Sequence, residues 1–151
     1  MTRQSAGLLL FRRTPDLQVL IGHMGGPFWA RKDARGWSIP KGEYRTEEPL
    51  AAAEREFAEE LGSVAPDGTT LELGSARQSG GKVVIVFARE GDFDADHIES
   101  NTFAMEWPRG SGIQREFPEI DRAGWFDVET ARTKLVAGQV VFLDRLQGFL
   151  G

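Results

Sequence analysis

Glu56, Glu59 and Glu60 stand together in the octet REFAEELG at residues 55–62. On an α-helix the spacings i, i+3 and i+4 bring side chains onto the same turn. Like charges so placed repel by a few tenths of a kcal/mol per pair. Two readings of the trio follow. One is a solvated acidic face balanced by Arg55 and nearby bases. The other is a set of hard oxygen donors for Mg²⁺ or Mn²⁺. Softer ligands are scarce, because the chain has no cysteine and only two histidines, His23 and His97.

The helix that must carry these carboxylates is predicted over Thr46 to Leu61. Its apolar stripe, Leu50, Ala53, Phe57 and Leu61, follows the 3.6-residue period and forms the face toward the core. Residues 5–13 and 17–24 read as two strands around a turn at Thr14-Pro15-Asp16. Residues 25–45 read as loop, rich in Gly, Pro and charge. LELGSARQ and KVVIVFARE read as a hairpin joined by Ser79-Gly80-Gly81, and NTFAMEW (101–107) as a further strand. QREFPEIDRAGWF (114–126) is expected to be a loop leading into a strand at AGWFDV (123–128). A helix follows from about Val128, and VVFLDRLQGFL (140–150) forms a C-terminal amphipathic helix. This order implies a single α/β domain over residues 1–151, with a mixed sheet between helices.

Length and charge narrow the function. With 151 residues the chain can bury one sizeable core, and 40% hydrophobic with 27% charged residues is an ordinary globular composition. The lack of cysteine excludes a disulfide framework and suits a reducing compartment. No run approaches the roughly 20 apolar residues of a membrane span, so a cytoplasmic location and no membrane partner are expected. A net charge of −5 is not that of a nucleic-acid binder, and nucleic acid is not expected as a partner. A phosphate ligand would instead need a local cationic centre.

The segment GEYRTEEPLAAAEREFAEELGS (42–63) resembles the signature box of the Nudix hydrolases. That box runs Gly, five residues, Glu, seven residues, Arg-Glu, a hydrophobe, any residue, Glu-Glu, any residue, Gly and a hydrophobe. Glu47, Arg55, Glu56, Phe57, Glu59, Glu60 and Gly62 match at the family's relative spacing. There are two departures. Only four residues separate Gly42 from Glu47, and Ser63 stands where the box closes on a hydrophobe. The resemblance implies the Nudix fold and a loop–helix–loop platform on which Glu56, Glu59 and Glu60 hold Mg²⁺ or Mn²⁺. The Lys41 carbonyl is a further ligand candidate. Glu47 and Arg55 would brace loop against helix by a charge-assisted pair.

The implied reaction is attack of water on phosphorus in a nucleoside diphosphate linked to another group. The base that takes the water's proton is Glu56 as first candidate and Glu119 as second, with Glu116 as a rival in the same loop. For the loop acids, a plain exposed charge is the competing reading. Lys41, in WSIPKGE, is a point charge for phosphate. Lys82, after the Gly-Gly turn, is either a second one or a solvated strand-end lysine. Arg31, with Lys32 and Arg35, forms a basic patch in the loop before the box, where binding residues concentrate. His23 reads as structural. Tyr44, Phe28, Trp29 and Trp107 are candidates to stack on a base, whereas Phe57, Phe87, Trp125 and Phe126 are expected in the core.

The Pro-Lys-Gly approach to the box resembles that of diadenosine polyphosphate hydrolases of the family. Through stretches such as AGLLLFRR, GGPFWARKD, WSIPKGEY and FPEIDRAGWF, the whole chain is similar to predicted NTP pyrophosphohydrolases. The preferred substrate is therefore a small-molecule nucleotide, either a dinucleoside polyphosphate or a nucleoside triphosphate. ADP-ribose and capped RNA ends stay open. The alternative is a Nudix-fold nucleotide sensor or binding module without catalysis. A merely structural acidic helix requires the whole box match to be accidental. The apolar face of the C-terminal helix can pack on the sheet or on a second subunit, so monomer and homodimer both remain.

Overall fold

The computed structural model describes residues 3–151. Its organising strand is β1 (Gln4–Arg12), whose apolar run is buried on both sides. Successive side chains of a strand point to opposite faces. Ala6, Leu8 and Leu10 enter one core, while Leu9 and Phe11 enter the other. β2 (Gln18–Met24) returns antiparallel, pairing Phe11 with Val19. The expected hairpin of β5 (Thr70–Arg77) and β6 (Val83–Glu90) forms around a 3₁₀ turn at Ser79–Gly81. β6 lies parallel to β1 from Gln4↔Val83 to Phe11↔Glu90. β9 (Ile120–Asp127) pairs antiparallel with β2. The mixed sheet runs β3 (Trp37–Ser38), β2, β1, β6, β5, with β4 (Lys41–Glu43) on β1 and β9 on β2.

Helix α1 (Pro49–Leu61) covers one face with Ala52, Ala53, Phe57 and Leu61. Helices α2 (Val128–Lys134) and α3 (Val140–Leu150) cover the other, through Val128, Ala131, Phe142, Leu143 and Leu146. The C-terminal helix thus turns most of its apolar face inward on the sheet. No helix among the described residues is long and apolar enough to cross a membrane.

Three expectations are corrected. First, α1 begins at Pro49 and not at Thr46. Proline fixes φ and lacks an N–H, which suits the first helical position and holds the preceding Glu48 extended, at ψ 140°. Second, the segment read as loop before the helix contains two short strands, β3 (Trp37–Ser38) on β2 and β4 (Lys41–Glu43) on β1. Third, residues 114–118 form a strand, β8 (Gln114–Pro118), which pairs with β7 (Thr102–Glu106) in a separate two-stranded sheet. Pro118 ends that strand, where a missing N–H costs no ladder bond.

Of the aromatics assigned to the core, Phe57 and Phe87 are buried. Trp125 and Phe126 are half-buried against its edges. His23 is fully buried, with Nδ1 bonded to Asp121 at 2.8 Å and Nε2 to the Lys32 carbonyl at 2.7 Å. It ties the loop after β2 to β9, as expected of a structural histidine.

Candidate active site

Helix α1 ends at Gly62, whose φ of 83° is left-handed and whose N–H caps the Ala58 carbonyl at 2.8 Å. The last two turns therefore project Glu56, Glu59 and Glu60 from a fixed helix end. Opposite them β4 is clamped to β1 in the register Ser5↔Glu43, Ala6↔Gly42, Gly7↔Lys41. Gly42 lies directly beneath the Glu56 carboxylate. A Cβ at that position would overlap the carboxylate's carbon and both its oxygens. The glycine is thus required by close approach and not by backbone twist.

Glu47 and Arg55 meet in spite of the short loop. Arg55 Nε donates to Glu47 Oε2 at 2.8 Å and Nη2 to Oε1 at 2.7 Å, a two-pronged pair. The third arm, Nη1, donates to Glu56 at 2.8 Å and reaches Glu59 at 3.3 Å. Arg55 thereby links the loop before the helix to two of its acids. These bonds raise the pKa of Arg55, Glu47 contributing most, and lower that of Glu47.

The carboxylates differ in environment. Glu59 is exposed, with 41% of its side chain open. Burial raises Glu56 above the usual carboxylate range, opposed by its hydrogen bond from Arg55 and reinforced by the charges of Glu59 and Glu119. Glu60 is only 9% exposed. Burial first, and then the charge of Glu56, push it up to about 8, while Lys41 acts in the opposite direction. A carboxyl group so placed keeps its proton at neutral pH unless a cation shares the site, because burial disfavours its charged form.

These groups surround one cavity of about 320 Å³, lined by Ser5, Lys41, Gly42, Glu43, Glu56, Glu59, Glu60, Lys82, Asn101 and Glu119. The structure thus brings the three helix acids together with Glu119, Lys41 and Lys82. Arg31 lies outside this lining, in the exposed loop before β3, and so does Glu116, which pairs with Ala104 on the two-stranded sheet. Glu119 is held by its backbone: its N–H donates to the Asn101 carbonyl at 2.9 Å and its carbonyl accepts from Gly25 at 2.9 Å. Asn101 in turn donates its N–H to the Glu59 carbonyl at 2.9 Å. Ser5, Glu43 and Asn101 were not singled out in the sequence. Ser5 carried one faint signal, a polar residue opening an otherwise apolar strand.

The donor set suits a hard divalent cation in chemistry: oxygen ligands only, two of them carboxylates whose pKa values are raised by burial. Among the described residues no group of three or more His, Cys, Asp or Glu side chains is already arranged around one point to hold a metal ion. The Nη1 arm of Arg55 lies between Glu56 and Glu59 and supplies positive charge there.

A second cavity, also about 320 Å³, adjoins the first through Ser5, Lys41 and Lys82. Its walls include Ser38, Val84, Gln78 and Gln139. Gln139 is buried and fully committed, accepting from Ile39 N–H at 2.8 Å and donating to Ser38 Oγ at 3.0 Å. It fixes this wall to the strand that leads into the acidic loop.

No curated protein matches the sequence significantly. Solved structures do match in fold. The Ap4A hydrolase of C. elegans, as a binary complex, is 18% identical with a TM-score of 0.65 and 97% of each chain covered. The NUDIX domain of Shewanella oneidensis NrtR, complexed with ADP ribose, is 16% identical with a TM-score of 0.69, covering 100% of this chain and 90% of that one. The MutT protein of Methanosarcina mazei Go1 is 15% identical with a TM-score of 0.62, covering 99% and 95%. At such identities these likenesses speak for the fold. The family itself rests on the sequence, in which a NUDIX domain is matched over residues 1–146. With the acids Glu56, Glu59 and Glu60 of the box on α1, and Glu47 braced to Arg55 from the loop before it, this chain belongs to the Nudix hydrolase family.

Proposed function

We propose that the protein is a Mg²⁺- or Mn²⁺-dependent pyrophosphohydrolase of nucleotides, acting on a dinucleoside polyphosphate or a nucleoside triphosphate. The observation that carries this reading is the single cavity in which Glu56, Glu59, Glu60 and Glu119 face Lys41 and Lys82. Acids and cations so mixed fit a phosphate chain together with a bound cation, and neither alone. Glu56, Glu59 and Glu60 would hold the metal, with the Lys41 carbonyl as a further ligand. When bound, the metal would neutralise charge on the phosphate oxygens and acidify a water.

The chain's own groups supply the rest. Lys41 and Lys82 hold the phosphate oxygens at the junction of the two cavities. The adjoining, more apolar cavity takes the nucleoside. Glu56 or Glu119 accepts the proton of the attacking water; the backbone bonds of Glu119 to Asn101 and Gly25 support this reading of it. Arg55, held by Glu47, orients Glu56 and Glu59 and does not act on substrate.

The test is product analysis after incubation with Mg²⁺ or Mn²⁺ and a panel of nucleoside triphosphates, dinucleoside polyphosphates and ADP-ribose, alongside a chelated control. Metal-dependent cleavage is expected, and Glu59→Gln should lower turnover by orders of magnitude while leaving the melting temperature nearly unchanged. Binding of nucleotides without cleavage of any would replace the enzyme with a binding module.

A further inference from the structure

The loop after β2 and the β7–β8 hairpin meet at a recess away from the carboxylates. Phe103, Met105 and Trp107 alternate with exposed residues along β7 and its end, so they share one face of the strand. That face turns toward the loop, since a Cβ on Gly26 would meet the Phe103 ring at 2.8 Å. Phe28, Met105, Trp107 and Arg109 line the recess, which encloses about 360 Å³. Phe28 is 60% exposed, and the Lys32 ammonium stands 3.7 Å from its ring centre. The recess thus combines flat aromatic walls with two cations, Arg109 in its lining and Lys32 over Phe28.

The recess is also tied in position to the cavity. Asn101 lines the cavity, and Met105 and Trp107 follow it by four and six residues on the same extended segment. At about 3.3 Å per residue they stand at most roughly 13–20 Å from it. A polyphosphate chain that starts over the carboxylates can carry a second nucleoside across that distance.

We propose that this recess binds the distal nucleobase of a two-ended nucleotide. The base stacks against Phe28 and Trp107, and Arg109 and Lys32 attract the phosphates that lead to it. The inference rests on the reading of the carboxylate cavity as a pyrophosphate-cleaving site and selects among its substrates the dinucleoside polyphosphates. Aromatic stacking with a cationic rim tolerates any base, so purine identity is not read here.

The test compares kcat/KM for diadenosine tetraphosphate and for ATP in the wild type, Trp107→Ala, Trp107→Phe and Phe28→Ala. The expected result is a KM-borne fall of about 10- to 100-fold in the ratio of the two values for Trp107→Ala and Phe28→Ala. Trp107→Phe, which keeps a flat ring, should restore most of it. An unchanged ratio overturns the proposal, and so does a change of oligomeric state in sedimentation without a change of ratio, which would make the recess a contact between copies of the chain. If the wild type cleaves neither nucleotide, the catalytic reading fails by itself. Calorimetric binding of diadenosine tetraphosphate in EDTA then decides the recess. Weaker binding by Trp107→Ala supports it, and equal binding or none in the wild type overturns it.

Discussion

Gly42→Ala is the sharpest test of how the site is built. The single added methyl group would occupy the space of the Glu56 carboxylate, far inside the 3.0 Å that real Cβ contacts respect. Something must move. The backbone of β4 has little freedom, because it is paired to β1 on either side of Gly42 and Leu8 N–H donates to the Pro40 carbonyl at 3.1 Å. Nor can β1 give way, since Gly7 already approaches the Pro40 carbonyl too closely to admit a Cβ. The carboxylate of Glu56 therefore withdraws, by about 1 Å or more, and loses its alignment with Arg55. A displacement of that size costs about 100-fold in rate, or roughly 2.7 kcal/mol in the barrier. Stability should change little, because the alanine lowers unfolded-chain entropy by an amount worth ~0.4–1 kcal/mol, which offsets part of the disturbed Glu56–Arg55 contact. The assay is steady-state turnover over a Mg²⁺ titration, with melting curves for each variant. Gly148→Ala, where an added Cβ meets nothing within 4 Å, is the control. Turnover of Gly42→Ala within threefold of the wild type, at an unchanged Mg²⁺ requirement, would refute the claim that Gly42 sets the position of Glu56.

Two further outcomes are expected. In the metal-free protein Glu60 stays neutral up to about pH 8, whereas in the unfolded chain it ionises near 4.5. Between those values the unfolded chain binds fewer protons, so stability falls as pH rises through this window. Glu60→Gln should remove much of that fall and raise metal-free stability at pH 7 by roughly 3 kcal/mol, or about 6–12 °C in melting temperature. Equal melting profiles for the two proteins in EDTA from pH 5 to 8 would contradict this. Phe57 is fully buried between α1 and the sheet and meets Phe93 edge-on at 5.2 Å. Phe57→Ala should cost about 3–5 kcal/mol in denaturant unfolding, and a loss under 1 kcal/mol would place the helix contact elsewhere.

What was legible in the sequence follows from how local each signal is. The helix acids, their spacing and the brace of Glu47 to Arg55 are fixed by a single helix and the loop before it. Residues 5–13 were legible as a strand, and the unbroken apolar run AGLLLF fits the burial on both faces that the fold shows. By contrast β3 and β4 are two and three residues long, and neighbouring strands, not their own side chains, hold them extended. The β7–β8 hairpin was half legible. Its first strand is readable in spite of a mixed pattern, but the second has Gln, Arg and Glu in succession and ends on Pro118, which reads as loop. The burial of Glu60 was out of reach, because helix periodicity places it beside Glu56 but cannot say that β4 closes over it. The same holds for the meeting of Phe28 with Trp107, two residues far apart in the chain.

The pairing of early strands with late ones also bears on how the molecule is assembled. The hydrogen bond from Ile39 to Gln139 spans 100 residues, the His23–Asp121 bond spans 98, and β2 is completed only by β9. Such contacts close large loops before they return any stabilisation, which slows folding. Helix α1 can dock on β1 once the first 61 residues are made. Glu119 and the wall held by Gln139 can join it only after most of the chain has been synthesised. The wall that β4 sets against the carboxylates comes early in the chain, but the cavity is complete only once these late residues have closed over it.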